Sequence, residues 1–157
     1  MRFQYVKILR IDDTPEKIAL GVAIGVVMGI LPTFGLGIPL AILFSIILKA
    51  NRVSAVVGSM IMNPWTTPVF WGASYFIGSL ILGKKAADTL RDISNLRSSG
   101  NWSAVLGKEI LVPYIFGNIA VSALFGITFY FISYELVKAY RIVKMKRRMK
   151  RLHHEDL

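Results

Sequence analysis

The polar groups able to do chemistry in this chain are few, and most sit at two proline breaks in otherwise apolar sequence. The first break is Leu31-Pro32-Thr33-Phe34-Gly35 and the second is Asn63-Pro64-Trp65-Thr66-Thr67-Pro68. A helix that stops at a proline and restarts exposes amide N–H groups at the head of its second half. Those donors, with the positive end of the helix dipole, hold anions. The restarts fall near Gly35 and near Thr66, and Thr33, Asn63, Thr66 and Thr67 add neutral donors and acceptors. Between Lys17 and Lys84 the only charged residues are Lys49 and Arg52, and there is no carboxylate. The chemistry these residues suggest is non-covalent: an anionic, phosphate-bearing group held between Lys49, Arg52 and the half-helix ends. A plainer reading competes with it. Proline and glycine make tight loops, Asn63 and Thr66 cap them, and Lys49 and Arg52 snorkel to lipid headgroups. Asn51 is in either case an N-cap for the helix that follows.

Catalysis has no comparable foundation. The chain has no glycine-rich phosphate loop, no His/Asp/Ser arrangement and no paired acids inside its apolar runs. Glu109 and Glu135 flank the last run instead of sitting within it. An enzyme is therefore not expected, nor proton coupling through a buried carboxylate. The absence of cysteine excludes disulfides and thiolate metal sites. His153-His154-Glu155-Asp156 closes a basic tail and reads as solvated chain, so neither metal nor cofactor is expected.

The elements that must position these residues are helical. Asp13-Thr14-Pro15-Glu16 is a helix start: a capping side chain, proline in the first turn and an acid beside the helix N-terminus. The apolar run Ile18–Leu48 is too long for one membrane crossing and too short for two. Its break divides it into Ile18–Leu31 and Leu36–Leu48. Val53–Met62 and Val69–Leu82 form a second broken pair. Ile110–Tyr134 carries no charge and reads as a full transmembrane span, with Pro113 in its first turn. The predicted fold is all-α: a polytopic membrane protein with two proline-broken units, re-entrant or discontinuous, and a long final transmembrane helix. The membrane domain covers 1–137. It comprises an interfacial segment 1–13, broken units 14–50 and 51–83, an amphipathic surface loop 84–108 and the span 109–137. A basic tail, 138–157, follows, and Leu136, Tyr140 and Val143 share one face as the last helix runs into it.

Gly21, Gly25 and Gly29 form overlapping small-xxx-small patterns on one face, with a weaker echo at Ser122 and Gly126. Such stripes let helices approach closely in lipid. They serve either packing against the partner half of the first unit or a homo-oligomer. Composition agrees with a bilayer: 54% of residues are hydrophobic, yet the net charge is +10. Eight of the nineteen Lys and Arg residues lie between Lys138 and Arg151, next to apolar sequence. This is the pattern of a juxtamembrane segment drawn to anionic lipid, and no nucleic-acid motif accompanies it. The tail places the C-terminus in the cytoplasm. If the N-terminus lies there too, the broken units together make an odd number of crossings. One then spans as a discontinuous helix while the other enters and returns. An external N-terminus with both units re-entrant is the alternative, since four basic residues face three acids before the first run.

Thr14-Pro15-Glu16-Lys17-Ile18-Ala19-Leu20-Gly21, the Leu-Pro-Thr-Phe-Gly break, Asn51-Arg52 and Asn63-Pro64-Trp65-Thr66-Thr67-Pro68 follow one another in an order that resembles a bacterial membrane family, domain of unknown function 2062. The resemblance covers roughly residues 10 to 135. It implies a small multi-pass protein of the bacterial inner membrane, and the domain is in some cases fused to glycosyltransferases. A glycosyltransferase or another envelope-biogenesis partner is thereby implied, but no reaction. Two roles remain open: a small transporter or lipid-carrier handler for an anionic substrate, and a non-catalytic module that anchors or assists such a partner. A polar cavity joining the breaks would favour the first, and a tight apolar core there the second.

Overall fold

The computed structural model describes residues 13–33, 35–85, 88, 91, 94, 95 and 108–155, with side chains of the last helix described from 110 to 146. The predicted interfacial segment 1–13, save Asp13, and most of the surface loop 84–108 therefore lie outside the described residues, as does Phe34. Among the described residues the chain is all-α, with five helices and no strand.

Helix α1, Pro15–Ile30, starts as its sequence dictates. The Thr14 hydroxyl accepts from the Lys17 amide at 3.4 Å, and Pro15 and Glu16 occupy the first turn. It stops because Leu31 precedes a proline and is driven to extended backbone, φ −56° and ψ 145°. Gly35, at φ +93°, turns the chain into α2, Gly37–Ile47. Helix α2 ends in a Schellman motif: the Ala50 amide donates to the Ser45 carbonyl at 2.8 Å and the Lys49 amide to the Ile46 carbonyl at 3.2 Å. The left-handed residue this motif needs is Lys49, at φ 53°. Helix α4, Thr67–Ile81, closes in the same way, with Gly83 at φ +80°. The Lys84 amide there reaches the Ser79 carbonyl at 2.9 Å. The two units thus share their terminating geometry although their residues differ.

Between them lies α3, Arg52–Ser59. Its N-cap is Asn51 as predicted, with Oδ1 accepting from the Ser54 amide at 2.8 Å. Helix α5, Lys108–Glu155, runs 48 residues without interruption into the basic tail. Since it opens at Lys108, Pro113 lies in its second turn, not its first, and one intrahelical hydrogen bond is lost. Among the described residues α5 holds the one segment, Ile110–Lys146, long and apolar enough to cross a membrane by length and composition.

Helix α1 is the hub, packed on α2, α3 and α5, while α4 packs on α5. The glycine stripe sets the contact of α1 with α3. A Cβ at Gly29 would stand 2.8 Å from the Ser59 carbonyl oxygen. One at Gly25 would come within 2.7 Å of the Ser59 amide, and one at Gly21 would touch Ser54 at 3.0 Å. From the other side Gly58 meets the Val22 backbone. The stripe therefore serves intrachain packing, but its partner is α3, the opening helix of the second unit, and not α2, the other half of its own. The reason is directional: α2 folds back antiparallel through the break, which leaves the glycine face free for α3.

Helix α5 runs antiparallel to α1. Asn118 lies beside Ile30, Gly126 beside Val27, and Arg141 donates to the Asp13 carbonyl. Helix α4 is antiparallel to α5 as well: the Phe70 and Phe125 rings meet edge-on at 5.1 Å, and Gly78 abuts Pro113 and Gly117. The core is Val22, Val26, Ile30 and Val121, with Ile61, Met62 and Phe70 packed against it.

Candidate functional site: the paired breaks

Both breaks lie at one level of the bundle. The Gly29–Ser59 approach sets the ends of α1 and α3 side by side, and Ile61 and Met62 share the core with Ile30. This level matches Asn118 on α5, about 12 Å along the axis from Ile110. The breaks therefore sit inside the length of the apolar segment.

The second break is internally satisfied. Asn63 Oδ1 accepts from the Trp65 and Thr66 amides, each at 3.0 Å. The Thr67 amide and hydroxyl both donate to the Asn63 carbonyl, at 2.9 and 2.8 Å. Thr66 Oγ1 donates to the Ile61 carbonyl at 2.7 Å and accepts from the Asn63 amide at 3.0 Å. The Thr66 and Thr67 amides at the head of α4 are thus engaged within the loop. At the first break Thr33 donates its amide to the Leu31 carbonyl at 2.7 Å and accepts from the Leu36 amide at 2.9 Å. Its Oγ1 would lie 3.2 Å from a Cβ at Gly37, and α2 begins without a side-chain cap.

Lys49 and Arg52 stand elsewhere. The Asn51 amide donates to the Lys17 carbonyl at 3.0 Å, which ties the Lys49–Arg52 joint to the start of α1. From there to Ile30 is about 20 Å of helix axis. The structure brings Thr33, Gly35, Asn63, Thr66 and Thr67 to one level and puts Lys49 and Arg52, both exposed, at the opposite end.

That opposite end is a polar cluster. Asn51 Nδ2 donates to Asp13 Oδ2 at 2.6 Å, and Lys17 Nζ lies 4.0 Å from Asp13 Oδ1. Arg141 joins through the Asp13 carbonyl. The Glu16 carboxyl is held below the usual carboxylate range by its own backbone amide, then by the Thr14 hydroxyl, with Arg141 adding attraction.

Sequence reading missed the residue that completes the first break. Asn118 is fully buried within the apolar segment of α5. Its Nδ2 donates to the Ile30 carbonyl at 3.1 Å and lies 3.4 Å from both Ser74 Oγ and Tyr114 OH. It satisfies a carbonyl orphaned where α1 ends, as a broken helix in an apolar layer requires. The signal was present: a lone asparagine in a charge-free span, four residues after a tyrosine. Gly78 and Gly117, which bring α4 onto α5, were likewise unread. Ser74 and Gly78 repeat the small-xxx-small spacing seen in α1.

No curated protein and no solved structure matches the chain. A family profile does match, across residues 1–146, and its description is "uncharacterized protein conserved in bacteria". The chain therefore belongs to the bacterial family defined by domain of unknown function 2062.

Proposed function

We propose that the protein is a non-catalytic, multi-pass module of the bacterial inner membrane that positions a cytoplasmic stalk for an envelope-biogenesis partner. The supporting topology has three parts. The α1–α2 hairpin enters from the tail side, turns at mid-depth and returns. The α3–α4 pair crosses as a discontinuous helix, and α5 crosses in full. Both ends of the domain then face the cytoplasm, where the tail's basic residues meet anionic headgroups. Broad apolar exposure on α2 and α5, as at Phe44, Ile47, Phe116 and Phe131, suits contact with lipid.

The observation that carries the module reading is the filling between the breaks. Ile30, Ile61, Met62 and Val121 occupy that region as core, and Asn63, Thr66 and Thr67 spend their hydrogen bonds on one another. The stalk is the contrasting surface. Leu136 and Val143, on one face of α5, are exposed, and Val143 follows Arg141, which still meets Asp13, and stands beside Lys144 and Lys146. A glycosyltransferase is the partner suggested by the fusions found in the family. A second reading, a carrier for an anionic lipid, is favoured by two half-helix ends meeting at mid-depth, the usual place for transporter sites.

Complementation of a deletion strain's envelope sensitivity, at matched protein levels, separates the two. The module reading expects Val143→Ser with Met145→Ser to lose function and Thr33→Val with Thr67→Val to keep it. The reverse pattern would establish the carrier and defeat the module.

A further inference from the structure

We propose that Asn51 and Asp13 form a latch by which the joint of the two broken units holds the foot of the stalk in place. The purpose of the latch rests on the reading of α5 as a positioned stalk, while the latch itself stands on the contacts of one end of the bundle.

The first observation is that both ends of the Asn51 amide are used. The residue is 8% exposed. Oδ1 accepts from the Ser54 amide at 2.8 Å and from the Ser54 hydroxyl at 3.0 Å, which caps α3. Nδ2 donates to Asp13 Oδ2 at 2.6 Å, across 38 residues of sequence. Aspartate or serine would cap the helix as well as asparagine does. The amide adds a second atom, a donor, and turns it toward a carboxylate.

The second observation is where Asp13 stands. It precedes the Thr14 cap and lies outside α1, so the helix itself does not fix it. Its side chain is held by Asn51 and, more loosely, by Lys17, whose half-exposed ammonium is 4.0 Å away. Its carbonyl accepts from the Arg141 guanidinium. Asn51 thus reaches α5 through one intervening residue.

The third observation is that α5 needs a tether there. Val137 is 3% exposed, whereas residues 142–146 are all exposed. Lys138, Arg141 and Lys144 follow one another at three-residue spacing, which sets like charges side by side on the helix and destabilises it. A helix end with little packing and self-repulsion frays. Arg141 is the middle charge of the three, and both the Asp13 carbonyl and the Glu16 carboxylate draw it to the start of α1.

The test is hydrogen exchange of the purified full chain in detergent, read by mass spectrometry. Asn51→Asp keeps the capping oxygen and replaces the donor with an oxygen that repels Asp13. It is expected to speed exchange in residues 138–146 by up to about tenfold, the loss of one hydrogen bond to a charged group, and to leave the α4 amides unchanged. Asn51→Asp combined with Asp13→Asn exchanges the two partners, again sets a donor against a carboxylate, and should return the parent's rate. Arg141→Leu should speed the same residues, with no further gain when Asn51→Asp is added. Asn51→Ser, which caps without reaching Asp13, carries the test if the aspartate variant does not fold. These rates are independent of complementation, so a carrier could have the latch and a module could lack it. Unchanged exchange in the Asn51 variants would overturn the latch. So would equal acceleration in α4, acceleration that the exchanged pair fails to reverse, or additive effects of Arg141→Leu and Asn51→Asp.

Discussion

Lys49 holds a backbone conformation that suits glycine. At φ 53° it completes the Schellman motif of α2, the position Gly83 fills in α4. A side chain in this region costs about 1–2 kcal/mol. Lys49→Gly is therefore expected to raise stability by about 1 kcal/mol, read as a higher Tm, because nothing in the described packing depends on its side chain. A lower Tm would show that the ammonium makes a contact worth more than the strain. Arg52 lies exposed at the same end, one residue after the Asn51 cap. Lysine should replace it freely in complementation, since either cation reaches a headgroup from there. Loss of function in Arg52→Lys at wild-type abundance would return its guanidinium to a specific anion site.

The elements were largely legible in sequence, and their pairing was not. Thr14, Pro15 and Asn51 announced helix starts, and Pro32 and Pro64 announced the breaks, because capping and the pre-proline restriction are local effects. That the glycine stripe of α1 receives α3 depends on α2 folding away from it, a relation between segments distant in sequence. Asn118 was hidden for the same reason, since its partners Ile30 and Ser74 come from other helices. The close contacts yield a sharp expectation. A Cβ at Gly25 would collide with the Ala55 carbonyl and stand 2.7 Å from the Ser59 amide, neither of which can move without its helix. Gly25→Val should cost at least about 1–3 kcal/mol of stability. Gly72→Ala, at a helical glycine with nothing within 4 Å, should cost nothing measurable and serves as the control. A Gly25→Val protein with the parent's Tm would dissolve the α1–α3 contact.

At the scale of the whole molecule the account depends on which segments share a side of the membrane. The hairpin α1–α2 returns the chain to the end where Arg141 meets Asp13, so Lys49 and the basic tail belong together. Helix α4 continues past the level of Asn118 to Gly78 beside Pro113, so Lys84 lies toward the opposite end of the bundle, the end that the proposed topology sets outside. The chain contains no cysteine, which leaves a clean background for single introduced thiols. The most direct measurement is labelling of Lys49→Cys, Lys84→Cys and Lys146→Cys in intact cells with a membrane-impermeant thiol reagent, repeated after permeabilisation. The account predicts that Lys84→Cys labels from outside, while Lys49→Cys and Lys146→Cys label only once the membrane is opened. Labelling of Lys49→Cys in intact cells would mean that the first unit crosses instead of returning, and would contradict the re-entrant hairpin on which the topology rests.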